Sequence, residues 1–359
     1  MSDGFHSLEV LDVEPLTDDA VAVTLDVPVD LADAYAYRAG QHVPVRVPAE
    51  LVGAGAPEER RTYSLCAPPG SGRLRIGVRR VADGVLSGHL VERLRVGDRL
   101  EVGRPTGRFV LPAQAPARHV VAVVAGSGIT PVLAIVGDLL ASDPDARATV
   151  VCVNRSAGAV MFADELADLK DAHPTRLVLS HVLTREPQTS PLLSARPDRE
   201  AWRRLLDRLL AGAPPVDGWY LCGPRDLVED VRAVLADRGV PEQVVHHELF
   251  FAGDLPALPP APRTGGVDSE VTAILGGRRT TMVADPGDEV LLDTVLRART
   301  DAPYACRGGV CGTCRVRVLD GEVAMGEQWA LEPEERRAGY VLACRSRPVS
   351  TAVTVDFDA

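Results

Sequence analysis

Hydrophobic positions along this chain fall into successive rhythms, and each predicts a different architecture. Over residues 5 to about 112, short β-prone runs (VAVTLDVP, HVPVRVP, RTYSLCA, LRIGVRRV and DRLEVGRPTGRFVL) are punctuated by Gly and Pro at intervals of ten or more residues. A small antiparallel β-barrel has that rhythm, because its strands are short and each needs a breaker at the turn. From His119 the runs become wholly apolar (HVVAVVAG, ATVVCVN, RLVLSHVL, GWYLCGP and QVVHHELF) and alternate with helical patterns. Strands buried on both faces, joined by crossover helices in a parallel α/β sheet, explain runs without polar alternation. In PVLAIVGDLLA, Val132, Leu133, Ile135, Val136, Leu139 and Leu140 keep the i, i+3, i+4, i+7 stripe of a helix lying on such a sheet.

The last rhythm follows AGDLPALPPAPRTGG, where proline and glycine leave nothing to form a core. Residues 252–267 are expected to be a linker stiffened by proline, extended at up to ~3.1 Å per residue. Beyond it come strands VTAILG and RRTTMVA, a helix in GDEVLLDTVLRA, a cysteine loop, strand CRVRVLDGEV and a last strand near STAVTVDF, an α+β pattern. The expected division is a barrel domain over 1–112, an α/β domain over 113–251, the linker, and an α+β domain over 268–359.

A chain of 359 residues with 46% hydrophobic and 25% charged residues can bury two or three globular cores. Its formal charge of −11 argues against wrapping nucleic acid, while leaving an acidic surface able to dock a basic protein. MSDGFHSLEV has no basic segment leading into an apolar one, and no apolar run reaches the ~20 residues that span a bilayer, so a cytoplasmic, non-membrane protein is expected. The cysteine count of seven is odd, and Cys306, Cys311, Cys314 and Cys344 fall late in the chain. A secreted disulfide framework is disfavoured and a cysteine-ligated metal in a reducing compartment is favoured.

The late cysteines have the spacing C-x4-C-x2-C and then, after 29 residues, C. Plant-type [2Fe-2S] ferredoxins have this spacing, whereas zinc sites come as paired C-x2-C knuckles. Gly308, Gly309 and Gly312 in the loop suit backbone N–H groups turned toward cluster sulfurs. AGSGITP follows an apolar strand and opens the striped helix. There Gly126, Ser127 and Gly128 let the backbone approach a pyrophosphate, and Pro131 fits the first helical turn. This is the setting of a nicotinamide dinucleotide site. At VNRS, after the next strand, Asn154 is followed by Arg155 and Ser156 with no acid to take both ribose hydroxyls, which favours NADPH over NADH.

RRTYS, with Arg61, Thr62, Tyr63 and Ser64, resembles the R-x-Y-[ST] signature of the ferredoxin-NADP reductase superfamily. The resemblance implies that Arg61 pairs with flavin phosphates, Tyr63 packs on the isoalloxazine and Ser64 hydrogen-bonds near its reactive nitrogen. It extends to Gly77, Val78 and Arg79 on a second flavin-contacting strand, and to the phosphate-binding turn from Gly84 to Ser87. It also covers Thr130 where nicotinamide meets flavin, the CGP motif of Cys222, Gly223 and Pro224, and Glu248 with Phe250 in HHELFF. By the same resemblance the C-terminal module is a β-grasp ferredoxin domain, and PTGRF favours FAD over FMN. Flavin, nucleotide and ferredoxin modules in that order are similar to the reductase components of bacterial oxygenases, most of all those that serve phenylacetyl-CoA epoxidation. That likeness implies NADPH, FAD, a [2Fe-2S] cluster and a di-iron oxygenase partner. The alternatives are an FMN reductase of the phthalate dioxygenase reductase type, a reductase for a hybrid-cluster protein, and a zinc-binding redox-sensing module. No catalytic nucleophile or acid-base residue is required. His42, His89, His119, His173 and His181 are expected to be surface or satisfied structural residues, and the run EQWALEPEE a solvated face.

Overall fold

The computed structural model describes residues 4–48, 51, 60–112, 118–250 and 269–359, so the linker expected at 252–267 lies outside the described residues. The chain divides into two compact units: His6–Glu58 with Tyr63–Ala252, and Met1–Phe5 with Glu59–Thr62 and Gly253–Ala359.

The barrel sheet is built from β1 (Phe5–Thr17), β2 (Ala20–Leu25), β3 (His42–Arg46), β4 (Arg60–Ser64), β5 (Leu74–Arg79) and β6 (Arg99–Gly103), in the order β4-β3-β6-β1-β2-β5. Antiparallel pairing of Leu65 with Ile76 brings the two edges together and closes it. Alternation places Val21, Val23, Leu25, Ile76 and Val78 inward, and α1 (Val85–Glu92) adds Leu86 and Leu90 to the same core. Strand β1 runs further than its hydrophobicity suggests. Only Phe5, Leu8 and Val10 are buried, and the rest of the strand is exposed or half-buried, held by pairing with β2.

The α/β part follows in chain order: β7 (His119–Ala125), α2 (Ile129–Ser142), β8 (Arg147–Asn154), α3 (Ala163–Ala172), β9 (Leu177–Leu183), α4 (Arg199–Leu209), β10 (Gly218–Gly223), α5 (Arg225–Asp237) and β11 (Val245–Leu249). The sheet is parallel, in the order β11-β10-β7-β8-β9. All six stripe residues of α2 are buried, Ile135 completely. Helix α4 is capped by Asp198, whose carboxylate accepts from Ala201 N at 2.8 Å, and turns Trp202, Leu205 and Leu206 inward. His119 is a satisfied structural residue: its ring nitrogens reach Pro214 O at 3.0 Å and Thr149 Oγ1 at 3.2 Å.

The C-terminal part contains β12 (Glu270–Leu275), β13 (Arg278–Val283), α6 (Leu291–Ala298), β14 (Arg315–Asp320), β15 (Val323–Met325), α7 (Pro333–Arg337), β16 (Tyr340–Leu342), β17 (Ser346–Pro348) and β18 (Ala352–Asp356). A mixed sheet, β13-β12-β18-β14-β16, packs against α6 through Leu291, Leu292 and Val295, while β15 and β17 form a separate pair. This is the α+β grasp architecture, a sheet wrapped on one helix. Among the described residues no helix is long and apolar enough to cross a membrane.

Because Ile135 of α2 is wholly buried, with its side chain against Gly40 beside the barrel, Ile135→Ala is expected to lower unfolding free energy by about 2–5 kcal/mol, and Ile135→Val by about 0.5–1.5 kcal/mol. Urea unfolding followed by circular dichroism measures both; equal midpoints for the two variants would contradict the packing.

Candidate functional site

The chain runs β7, β8, β9 toward one edge of the parallel sheet and returns to β10 and β11 on the other side of β7. Open α/β sheets bind ligands in the crevice at such a reversal, beyond the carboxyl ends of the strands. Gly126–Gly128 forms a 3-10 turn there and runs directly into α2. A Cβ on Gly128 would stand 2.2 Å from the carbonyl oxygen of Cys222, so only glycine lets the loop lie on β10. Thr130 is buried and donates its hydroxyl to Ser127 O at 2.9 Å, with Pro131 beside it in the first turn of α2. Gly223 and Pro224 turn β10 into α5, and Phe250 N donates to Gly223 O at 3.0 Å.

Asn154 ends β8, and its buried Oδ1 has no partner among the described residues. Arg155, exposed, and Ser156, half-buried, follow it. The fold adds residues that the linear motif did not contain. Arg185 N donates to Arg155 O at 2.8 Å, and Ala157 N donates to a carboxylate oxygen of Glu186 at 3.1 Å. An acid and a second arginine thus arrive from the end of β9, too far along the chain for any local spacing to announce them.

On the barrel side, β4 buries Ser64, half-buries Thr62 and packs half-buried Tyr63 against the barrel core. Arg61 is exposed and donates to Arg60 O at 2.9 Å. On β5, Gly77 and Val78 are buried, and a Cβ on Gly77 would lie 2.5 Å from Thr130 Cγ2 and 2.9 Å from the Phe162 ring. The barrel strand therefore rests directly on the nucleotide-side helix. Arg79 pairs with Asp19 at 3.1 Å and donates to Ala159 O at 2.7 Å, joining barrel to α/β sheet beside Gly126. Gly84 caps α1, and the Ser87 hydroxyl accepts from Val81 N at 3.1 Å and donates to Gly84 O at 3.3 Å. That hydroxyl is committed within its turn, so a phosphate there would meet the backbone N–H groups of α1.

The structure also brings together His42 and Glu248. His42 is 2% exposed, its Nδ1 lies 3.4 Å from Glu248 Oε1, and His42 Nε2 and Glu248 Oε2 have no partner among the described residues. His42 opens β3 and Glu248 stands near the end of β11, so the pair depends on the packing of barrel against sheet and was not legible in the sequence. Cys222 is wholly buried, and burial, reinforced by the Glu248 charge, pushes its thiol well up and keeps it protonated. Orphaned buried donors and acceptors on both sides of a glycine-lined crevice fit a polar, planar ligand and a dinucleotide.

In the second unit the four late cysteines form two thiol pairs. Cys311 hydrogen-bonds to Cys306, which together with N–H groups from Gly308 (3.3 Å), Val310 and Cys311 holds the Cys306 thiol below its ordinary range against burial. Cys344 hydrogen-bonds to Cys314, which also senses Cys311 and Cys306 and is pushed well up. Ala343 N donates to Cys314 O at 3.0 Å, tying the distant fourth cysteine to the loop. Among the described residues no group of three or more His, Cys, Asp or Glu side chains is arranged to hold a metal ion. Two adjacent pairs of thiols suit a two-iron group better than one tetrahedral zinc.

Comparison with known proteins identifies the domains. Residues 7–111 match the oxidoreductase FAD-binding domain, 122–233 the oxidoreductase NAD-binding domain and 274–349 the 2Fe-2S iron-sulfur cluster binding domain. The chain is 39% identical to a subunit of 1,2-phenylacetyl-CoA epoxidase from Escherichia coli (strain K12), over 99% of this chain and 98% of that one. It is 34% identical to the ferredoxin reductase component of 3-ketosteroid-9-alpha-monooxygenase from Mycobacterium tuberculosis (strain ATCC 25618 / H37Rv), over 100% of this chain and 97% of that one. Among solved structures, phthalate dioxygenase reductase shares the fold at a TM-score of 0.60, with 24% identity, 99% of this chain and 98% of that chain covered. An intact type IV self-sufficient cytochrome P450 monooxygenase matches at 0.70, with 26% identity, 98% of this chain and 41% of that chain covered.

Since a methyl group on Gly128 must displace the loop or β10, Gly128→Ala is expected to slow flavin reduction by NAD(P)H on the order of 100-fold, as a misplacement of about 1 Å does. Stopped-flow absorbance measures it. Unchanged reduction with flavin and iron contents intact would show that the loop does not carry the nucleotide.

Proposed function

The chain belongs to the family of oxygenase reductases that join FAD-, NAD(P)H- and [2Fe-2S]-binding domains in one polypeptide, and from that premise we propose that it carries electrons from NADPH to a di-iron oxygenase acting on phenylacetyl-CoA. The observation that carries this reading is the coexistence of a glycine-lined switch-point crevice, flanked by a barrel strand, with a grasp domain whose loop turns Gly308 N to Cys306 Sγ and ties Cys314 to the turn of Cys344 through Ala343 N. The nearly end-to-end likeness to the epoxidase subunit supports the choice of acceptor. When bound, FAD exchanges a hydride with the nicotinamide and the [2Fe-2S] cluster handles electrons one at a time.

The chain's own residues hold and orient these groups. In this reading the functional division is 1–112 for flavin, 113–251 for nucleotide, 252–267 as linker and 268–359 for the cluster. Arg61, Thr62, Tyr63, Ser64, Gly77, Val78 and Arg79 line the flavin site, with the turn from Gly84 to Ser87 facing its phosphates. Gly126, Ser127, Gly128, Thr130, Pro131, Cys222, Gly223 and Pro224 cradle the nicotinamide half, where buried Thr130 packs against Gly77 of the barrel strand. Glu248 and Phe250 close the crevice from β11. Asn154, Arg155 and Ser156 receive the adenosine end. Exposed Arg155 with Ser156 supports a 2′-phosphate and hence NADPH, and Glu186 orders the loop by accepting from Ala157 N. Cys306, Cys311, Cys314 and Cys344 ligate the cluster as thiolates, in a reducing cytoplasm where all seven cysteines stay unpaired.

Anaerobic titration with NADPH and NADH in parallel tests the reading. NADPH is expected to bleach the flavin at lower concentration and to produce the paramagnetic signal of a reduced [2Fe-2S] cluster; a colourless, zinc-containing protein would sink it. Cys311→Ser is expected to keep NADPH-dependent ferricyanide reduction while abolishing electron delivery to the oxygenase, and delivery that persists would place the exit elsewhere.

A further inference from the structure

Arg345 directly follows the last cysteine, and it is 3% exposed, the same depth as the residues of an apolar core. Long cationic side chains are rarely buried so far without a task, since desolvating a guanidinium is unfavourable unless polar groups surround it. Here the side chain lies across the cysteine loop. Its Cγ and Cδ stand 3.0 and 3.4 Å from where a Cβ on Gly309 would project, and Gly309 lies between Cys306 and Cys311. Its Nε donates to Glu327 O at 3.0 Å, and its own carbonyl accepts from Gly326 N at 2.8 Å. Trp329 N in turn donates to Gly309 O at 2.8 Å. One arginine thus stitches together the cysteine loop, the segment 326–329 and the turn that carries Cys344. The other arginine of the loop, Arg307, follows Cys306, is more exposed than Arg345 and pairs with Asp293 at 2.8 Å.

We propose that Arg345 is a positioning residue of the [2Fe-2S] site: it locks the loop bearing Cys306 and Cys311 against the turn bearing Cys344, and its buried positive charge raises the reduction potential of the cluster. The proposal rests on the reading of these four cysteines as the ligands. Taking up one electron adds one negative charge to the cluster and its thiolates. A fixed cation in a low-dielectric interior stabilises the reduced form more than the oxidised one, whereas a neutral side chain of similar length supplies only the packing.

The test uses the full-length holoprotein and three variants, Arg345→Gln, Arg345→Met and Arg345→Lys. Potentiometric titration followed by electron paramagnetic resonance reads the cluster potential, and loss of iron to a chelator reads how firmly the loop is held. Arg345→Gln and Arg345→Met are expected to shift the midpoint to more negative potential and to release iron faster. Arg345→Lys is expected to recover most of the potential, because it restores the charge, while still releasing iron faster, because a single ammonium cannot reproduce the guanidinium's bridging contacts. A midpoint unchanged in the two neutral variants, or shifted equally in Arg345→Lys, overturns the electrostatic part, and iron release equal to the parent in all three overturns the positioning part. If the neutral variants yield no loaded protein, Arg345→Lys still decides the positioning part by its iron release, and a midpoint shifted well away from the parent in that variant overturns the electrostatic part. Failure of the underlying ligand assignment looks different: Cys344→Ser would then keep an unaltered cluster spectrum, whatever Arg345 does.

Discussion

Everything at the crevice depends on how closely the loop after β7 lies on β10. The carbonyl of Cys222 occupies the space where any side chain on residue 128 would begin, so the turn and α2 can approach the sheet only with glycine there. That approach positions Thr130, whose methyl group then fills the space left by the absent side chain of Gly77 on the barrel. Two missing Cβ atoms thus set the distance between a barrel strand and a nucleotide-binding helix. Arg75, bridging Glu14 and Glu165 at 2.9 Å to the latter, holds the same joint from its rim. As a partly solvated network it contributes modestly, and the apolar contact around Phe162 contributes more.

Much of the fold was legible because local rules and global packing agree. The α2 stripe, the apolar strands of the parallel sheet and the alternation in β2 and β5 each have a single consistent burial. Strand β1 was not legible beyond its first residues, since most of it is half-wet and its pairing with β2, not its own pattern, keeps it extended. At the candidate site, motifs that lie within a few residues of one another had a legible local conformation: the glycine turn runs into α2 and the R-x-Y-S segment is a barrel strand. The contacts made by distant parts of the chain were not legible. His42 with Glu248, Glu186 at Ala157 N and Arg345 across Gly309 have no signature in spacing, because each exists only after two sheets or three loops have packed. Histidine illustrates the limit well: His119 is the satisfied structural residue that its isolation suggests, whereas His42, equally isolated in sequence, is buried with one ring nitrogen left over among the described residues.

The seven cysteines show how environment assigns chemistry to one residue type. Burial pushes the Cys66 and Cys152 thiols up to about 12, and for Cys66 the nearby Arg75 offsets only part of that rise. Cys222 moves in the same direction under burial and the Glu248 charge. These three therefore remain protonated across physiological pH and act as small apolar fillers, unable to attack a disulfide or capture iron at an appreciable rate. Cys306 feels desolvation as they do, yet the Cys311 thiol and three backbone N–H groups move it the other way, toward the thiolate that a metal requires. Desolvation is thus common to both classes: Cys311 and Cys314 are also pushed well up, and at Cys306 the hydrogen bonds aimed at sulfur reverse the direction. A loop that directs N–H groups at a sulfur favours negative charge there before iron arrives. Placing those donors on glycine-rich backbone, and closing the loop with a buried arginine, limits how far the sulfurs must move when a cluster is inserted.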